Sequence, residues 1–288
     1  MDNFETRAYA KINLSLDVTG RLENGYHLVK MVMQTVGIYD VLRFEKTKGE
    51  ITVAADNREL PSVQDNLIYK AISLMKETYG ISGGVKVSLE KNIPIAAGMA
   101  GGSTDAAAAL KAVNALYELN LSLPELQKLG VRLGADIPYC LLGGTALAEG
   151  IGEILTPLPA VPKATLLVAK PAVSVSTKEV YEELDSREIP SHPDVEGMIS
   201  SIRLGDLEGI TDRLGNVLET VTVSRHPVIG QIKKRMLECG ARGSLMSGSG
   251  PTVFGIFDTV FGAREALSCL QEENLATQVF VTEFVNGC

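Results

Sequence analysis

The sequence predicts an α+β protein of two domains. Three observations carry this expectation. The chain has 288 residues, about twice the ~150 that one domain usually takes. Period-two strand patterns and helical stripes both occur in each half, without an internal repeat. A proline-rich connection, Pro157 to Pro162, separates the halves and sets the expected domains at 1–160 and 161–288.

The first strand is the plainest. Ala8, Ala10, Ile12, Leu14, Leu16 and Val18 alternate with Tyr9, Lys11, Asn13, Ser15 and Asp17. A strand turns successive side chains to opposite faces, so Lys11 and Asn13 share the polar one. Short strands are also predicted over 41–45, 51–55 and 85–89. Asp65 to Tyr79 predicts a helix with Leu67, Ile68, Ala71, Leu74 and Met75 on one stripe and Gly80 as its stop. The alanine-rich stretch Asp105 to Leu119 predicts a second helix. Ser122-x-x-Glu125 with Pro124 in the first turn opens a third, which stops near Gly134.

In the second half, the apolar run Ala164 to Ala169 predicts a buried strand, and Ser176-x-x-Glu179 opens a helix through Leu184. Helical stretches follow near 193–203 and 205–220, then a helix from Pro227 to Cys239 closed by Gly240. Strand Thr252–Phe257, helix Phe261–Glu272 and strand Gln278–Val285 end the chain.

Composition bounds the function. Hydrophobic residues make up 45% of the chain, enough for a sizeable core. Lys and Arg number 27 against 35 Asp and Glu, a net charge of −8. That balance disfavours an extended nucleic acid or anionic lipid surface while permitting a local phosphate pocket. The absence of Trp opposes a stacking platform for single strands. Cys140, Cys239, Cys269 and Cys288 form no CxxC pair, and His27, His192 and His226 show no zinc spacing. Reduced thiols in the cytoplasm are expected. No targeting segment or membrane span is expected, since no window approaches ~20 uncharged apolar residues.

One segment concentrates the chemistry: Pro94-Ile-Ala-Ala-Gly-Met-Ala-Gly-Gly-Ser-Thr-Asp-Ala-Ala107. It follows a predicted strand and runs into a predicted helix. Gly98, Gly101 and Gly102 allow close backbone approach, and the free N–H groups and dipole of a helix start favour an anion. It reads as a phosphate-cradling loop, or as a glycine turn with an ordinary cap. It is not GxGxxG or a Walker A loop, and protein-kinase HRD and DFG signatures are absent.

Asp136, in Gly134-Ala-Asp136-Ile-Pro138, stands at a sharp helix exit where a carboxylate can be presented to a ligand; alone it is also an ordinary turn aspartate. Lys11 alone reads as a solvent-facing strand lysine. Together they are complementary. Phosphoryl transfer to a hydroxyl needs a carboxylate to take or orient the proton and a cation for developing charge. Gly20-Arg-Leu-Glu-Asn-Gly25-Tyr26-His27 is either a hairpin turn with a half-buried Tyr or a stacking turn for a planar ligand. Met246-Ser-Gly-Ser-Gly-Pro-Thr-Val-Phe254 is a second small-residue loop, able to bind or brace phosphates or simply to connect.

These motifs, with AYAKINLSLDV at the start, resemble the GHMP kinase superfamily of galacto-, homoserine, mevalonate and phosphomevalonate kinases. The resemblance runs from about residue 6 to 285. The longer Gly-Gly loop and the GYH turn are similar to a branch acting on a cytidine diphosphate ester on the route to isoprenoid precursors. Two departures stand in the loop: Met99-Ala100 replaces the usual Leu-Gly, and Thr104 replaces Ser.

The resemblance implies a two-domain fold, an N-terminal part like domain 2 of ribosomal protein S5 and a ferredoxin-like C-terminal part. It implies ATP as co-substrate, with Mg²⁺, its phosphates over Pro94, Ile95, Ala96, Ala97, Gly98, Met99, Ala100, Gly101, Gly102, Ser103 and Thr104. Asn66 and Lys91 fall at the implied adenine pocket. Lys11 and Asp136 match the catalytic pair, and no metal-ligand set is assigned. Tyr26 and His27 match the cytidine-binding turn, Tyr181 supplies the opposing aromatic, and Asn13 lies near the reacting hydroxyl. A monomer or weak homodimer without nucleic acid or membrane partners is expected. The GYH turn weighs against other kinases of the superfamily, the charge against RNA binding, and the presence of both Lys11 and Asp136 against an inactive nucleotide-binding protein.

Overall fold

The computed structural model describes residues 2–56, 62 and 65–287. Its first elements are β1 (Asn3–Arg21), β2 (His27–Thr47), β3 (Thr52–Ala55), α1 (Leu67–Tyr79), β4 (Gly84–Glu90), α2 (Gly101–Leu116), α3 (Leu123–Val131) and α4 (Ile137–Leu142). There follow β5 (Thr145–Glu149), β6 (Ile154–Pro157), β7 (Thr165–Lys170), α5 (Thr177–Leu184), α6 (Val195–Leu204), α7 (Leu207–Asp212) and β8 (Gly215–Asn216). The chain ends with α8 (Glu219–Arg225), α9 (Pro227–Glu238), β9 (Gly243–Met246), β10 (Val253–Phe257), α10 (Val260–Glu272) and β11 (Gln278–Glu283). The α+β class is as expected. No helix among the described residues is long and apolar enough to cross a membrane.

Two compact units form. One comprises Met1–Ala10, Ile38–Ile95 and Ala100–Leu142; the other comprises Lys11–Gly37, Ala96–Met99 and Gly143–Cys288. They interleave in sequence because β1 and β2, of 19 and 21 residues, contribute to both. A division at residue 160 therefore remains a proposal about sequence modules.

In the first unit, β2 pairs antiparallel with β4 from Val41↔Glu90 to Thr47↔Gly84, and β3 lies parallel to β4. Leu42, Phe44, Val85, Val87 and Leu89 meet Ile68, Ile72 and Met75 of α1 and the alanines of α2 in one core. Ala106, Ala107, Ala108, Ala109 and Ala112 are all buried, so α2 is small on every side and packs closely. The caps are local. Asn66 accepts from the Ile68 N–H, Gly80 closes α1 in the left-handed region, and the Ser122–Glu125 capping box is complete.

In the second unit, β7, β9, β10 and β11 form an antiparallel sheet of order β11-β7-β10-β9. With helices between β7 and β9 and between β10 and β11, this is a ferredoxin-like arrangement. The same unit contains the β2–β5 and β5–β6 pairings and the two-residue β8, parallel to β1 at Ser15↔Gly215.

The structure corrects several boundaries. The expected strand at 41–45 is the end of β2, whose residues Met31 to Val36 are buried on both faces and so show no alternation. The stretch 205–220 is not one helix: Gly215 and Asn216 leave helical geometry to pair with β1. Ser176 caps α5, but Glu179 does not complete the box, because its carboxylate pairs with Arg225 at 3.3 Å. Cys239 and Cys269 are free thiols, and Cys288 lies outside the described residues.

Helix α2 starts four residues before the expected Asp105, and its N-cap is Ala100 at φ 57°, ψ 29°. The departure from glycine thus keeps a left-handed backbone, at a cost of ~1–2 kcal/mol for a residue with a Cβ. Ala100→Gly is expected to stabilise the fold by roughly 0.5–1 kcal/mol, the relief of strain exceeding the added unfolded-state entropy. A raised Tm would show this; a lowered Tm would mean that the left-handed turn is not adopted.

Candidate active site

The glycine segment leaves β4 through Lys91–Ile95 and enters α2 at Gly101. In the first turn of a helix the N–H groups have no intrahelical acceptor, which at α2 means those of Gly101, Gly102 and Ser103. The Thr104 N–H already bonds the Ala100 carbonyl at 2.9 Å. Three adjacent donors at the positive end of a 16-residue helix favour an anion there.

The side of each glycine that a Cβ would fill is taken by protein. At Gly101 it would lie 3.1 Å from Lys91 Nζ and 3.0 Å from Ile93 Cγ2. At Gly102 it would lie 3.4 Å from Leu67 Cδ1, next to Asn66 at the start of α1. The first unit thus gathers Asn66, Lys91 and the end of the loop. Asn66 spends its side-chain oxygen on the cap of α1.

Lys91 is not a free cation. Its ammonium meets Asp40 Oδ2 and, at 2.7 Å, Asp105 Oδ2; its side chain is 4% exposed. Asp40 Oδ1 accepts from the N–H groups of Asn92 at 2.6 Å and Ile93 at 2.8 Å. Burial drives the Asp105 carboxyl up to about 8, with repulsion from Asp40 adding to it and the attraction of Lys91 opposing it. Asp105 Oδ1 is buried without a hydrogen-bond partner.

In the second unit, Ala96–Met99 lies against the other small-residue loop. A Cβ on Gly98, whose φ is +69°, would collide with the Ser247 carbonyl. Ser247 Oγ donates to the Gly98 carbonyl at 3.0 Å, and the Lys11 N–H to the Met99 carbonyl at 3.2 Å. Asn216 Nδ2 holds the second loop by the carbonyls of Met246 and Gly248. Of the readings open for that loop, this arrangement makes it a brace for the first.

Lys11 is only 5% exposed and Asn13, Ser15 and Asp17 at most 8%, so the polar face of β1 is interior. Lys11 Nζ donates to Asn13 Oδ1 at 2.9 Å, and Asn13 Nδ2 points to Met31 Sδ at 3.2 Å. Asn13 therefore holds the lysine. Asp136 sits half-buried immediately before α4, its carbonyl accepting from the Cys140 N–H.

The turn after β1 carries the aromatic set. The rings of His27 and Tyr181 lie 4.8 Å apart at 34°. Asp185 bridges His27 Nε2 at 2.7 Å and Arg21 Nη1 at 2.9 Å. Tyr26 is 58% exposed, on a turn closed by the Leu22 N–H on its carbonyl.

Sequence reasoning missed Asp40, Asp105, Asp185 and Asn216. Asp40 left a signal: it is in phase with Val36, Ile38, Leu42 and Phe44, the buried face of β2. A charge in register with a core stripe needs a buried partner. Asp185 and Asn216 left none, since their partners are distant in sequence.

Comparison with known proteins gives the family. The model of the GHMP kinases N terminal domain matches residues 66–144, and that of the GHMP kinases C terminal matches 198–275. The chain belongs to the GHMP kinase family. Within it, the chain is 54% identical over 284 residues to the 4-diphosphocytidyl-2-C-methyl-D-erythritol kinase of Lachnospira eligens, covering 98% of this chain and 99% of that protein. It is 46% identical over 281 residues to the protein of the same name from Clostridium botulinum, covering 98% and 100%. A crystal structure of 4-(cytidine 5'-diphospho)-2C-methyl-D-erythritol kinase superposes with a TM-score of 0.84 at 34% identity, covering 99% and 100%. A homoserine kinase from Cytophaga hutchinsonii, at 19% identity and TM-score 0.78, shares the fold.

The raised Asp105 carboxyl has a consequence for stability. The folded state holds a proton that the unfolded chain releases above 3.8, so this group's contribution is full below that pH and lost as pH rises to about 8. Asp105→Asn removes the dependence. Its Tm relative to the wild type is expected to climb from about pH 5 to pH 8 and then level off. A constant difference across that range would show that Asp105 is ionised throughout.

Proposed function

We propose that the protein transfers the γ-phosphoryl group of ATP to the 2-hydroxyl of 4-diphosphocytidyl-2-C-methyl-D-erythritol, giving the 2-phosphate and ADP, in the cytoplasmic non-mevalonate route to isoprenoid precursors. Relatives of that name matched along the whole chain support the substrate. The observation that carries the reading is the His27–Tyr181 ring pair fixed by Asp185, beside the exposed Tyr26. A cytosine is planar with a hydrogen-bonding edge, which suits an aromatic flank and a neighbouring imidazole.

The triphosphate binds at the start of α2. Backbone N–H groups serve as donors there, so an acidic chain needs few cationic side chains to hold phosphate. Mg²⁺ arrives with ATP as part of the substrate, with the Ser103 or Thr104 hydroxyl as its proposed protein contact. The 2-hydroxyl oxygen forms a bond to Pγ as the bond from Pγ to the β–γ bridging oxygen breaks. Asp136 accepts or orients the hydroxyl proton, and Lys11, held by Asn13, steadies the hydroxyl and the charge on the transferring group.

ADP release from ATP should require the cytidylyl ester; the same alcohol without the cytidylyl group should turn over poorly. Equal turnover of both, or preference for mevalonate or homoserine, would overturn the substrate assignment. Asp136→Asn and Lys11→Ala should each lower kcat by about two orders of magnitude or more while ATP binding is kept. Tyr26→Ala and Tyr181→Ala should chiefly raise KM for the cytidylyl substrate, by roughly 5- to 100-fold for a lost stacking partner.

A further inference from the structure

We propose that Asp40, Lys91 and Asp105 form a positioning element for ATP, in which Lys91 acts on the nucleotide by fixing the loop rather than by touching it. The inference rests on the reading that Pro94–Thr104 binds the triphosphate. Three segments distant in sequence meet at one buried ammonium: Asp40 from β2, Lys91 after β4, and Asp105 from the second turn of α2. The same Asp40 carboxylate that takes Lys91 also takes the N–H groups of Asn92 and Ile93, the last residues before Pro94. One side chain thereby fixes both the approach to the loop and, through Lys91, the helix at its far end.

Gly101 completes the device. A side chain there would crowd Lys91 Nζ at 3.1 Å, so the missing Cβ is what lets the ammonium stand against the first turn of α2. With two carboxylates upon it, Lys91 offers no net positive charge to a phosphate. One ammonium and two ionised carboxylates would instead carry a net negative charge close to the phosphate donors. Burial of Asp105 opposes that state by favouring its protonated form, which leaves the cluster neutral.

Steady-state kinetics of the full-length enzyme, with ATP and the cytidylyl substrate varied separately, tests this. Each variant is assayed below its own Tm. Lys91→Met and Asp40→Asn should both raise KM for ATP by roughly tenfold or more, since small misplacements of a binding group are costly. KM for the cytidylyl substrate should stay within about twofold, a split that general loss of folded enzyme does not produce. If Lys91→Met raises KM for ATP and Asp40→Asn does not, Lys91 contacts the nucleotide directly and the proposal fails. Unchanged KM for ATP in both variants also overturns it.

Should either variant not fold, Asp40→Glu decides. It keeps the charge that meets Lys91 but moves the acceptor of the Asn92 and Ile93 N–H groups, so KM for ATP should still rise by roughly tenfold. An unchanged KM for ATP overturns the proposal. A wild-type enzyme that turns over no ATP would instead overturn the reading of the loop itself.

Discussion

An ammonium removed from water has to be met by carboxylates, and the ordering of the first unit follows from how Lys91 is met. Its two partners come from β2 and α2, and Asp40 spends its other oxygen on the backbone that leads toward Pro94. Leaving any member unpaired in the interior would cost several kcal/mol, on the order of 3–5 for a broken buried pair. The arrangement is satisfied apart from Asp105 Oδ1, which has no hydrogen-bond partner. It places the start of α2, with its open N–H groups, at a defined point beyond β4.

The glycines of the loop serve the same end. Sequence alone suggests that they let backbone approach a ligand. In the structure, the space left by their missing side chains is filled by the protein: Lys91 and Ile93 at Gly101, Leu67 at Gly102, and the Ser247 carbonyl at Gly98. On the proposed reading, phosphate meets the N–H groups of Gly101, Gly102 and Ser103 while close packing on the Cβ side holds the glycines in place. That reading reconciles a net charge of −8 with the proposed phosphate-rich substrates. Fixed backbone dipoles bind anions without altering the charge balance of the surface.

Much of the fold was legible because it is local. Ser122–Glu125 and Gly80 mark helix ends through bonds within a few residues, and the alternation of β1 shows in six apolar positions. The middle of β2 was not legible, since burial on both faces erases the period-two pattern. The break at Gly215 was hidden for another reason: those residues leave the helix to meet β1, some 200 positions earlier. The site divides likewise. Lys11, Asp136, Tyr26 and His27 stood out as residue types in suggestive places, and a family likeness supplied their roles. Asp185 had no such mark, because its partners Arg21 and His27 lie far away along the chain.

By itself, then, the sequence determined the α+β class, the starts of α3, α5 and α9 and the stop of α1, the glycine segment leading to α2, and the alternation that puts Lys11 beside Asn13. Each rests on interactions within about a turn or a strand. Tertiary structure decided which polar groups are interior. The supposedly solvated face of β1 is buried, Asp40 and Asp105 share one lysine, and Ser247 braces Gly98. Burial depends on what packs from elsewhere in the chain, and the energy of a charge or a polar group depends on burial more than on its neighbours in sequence.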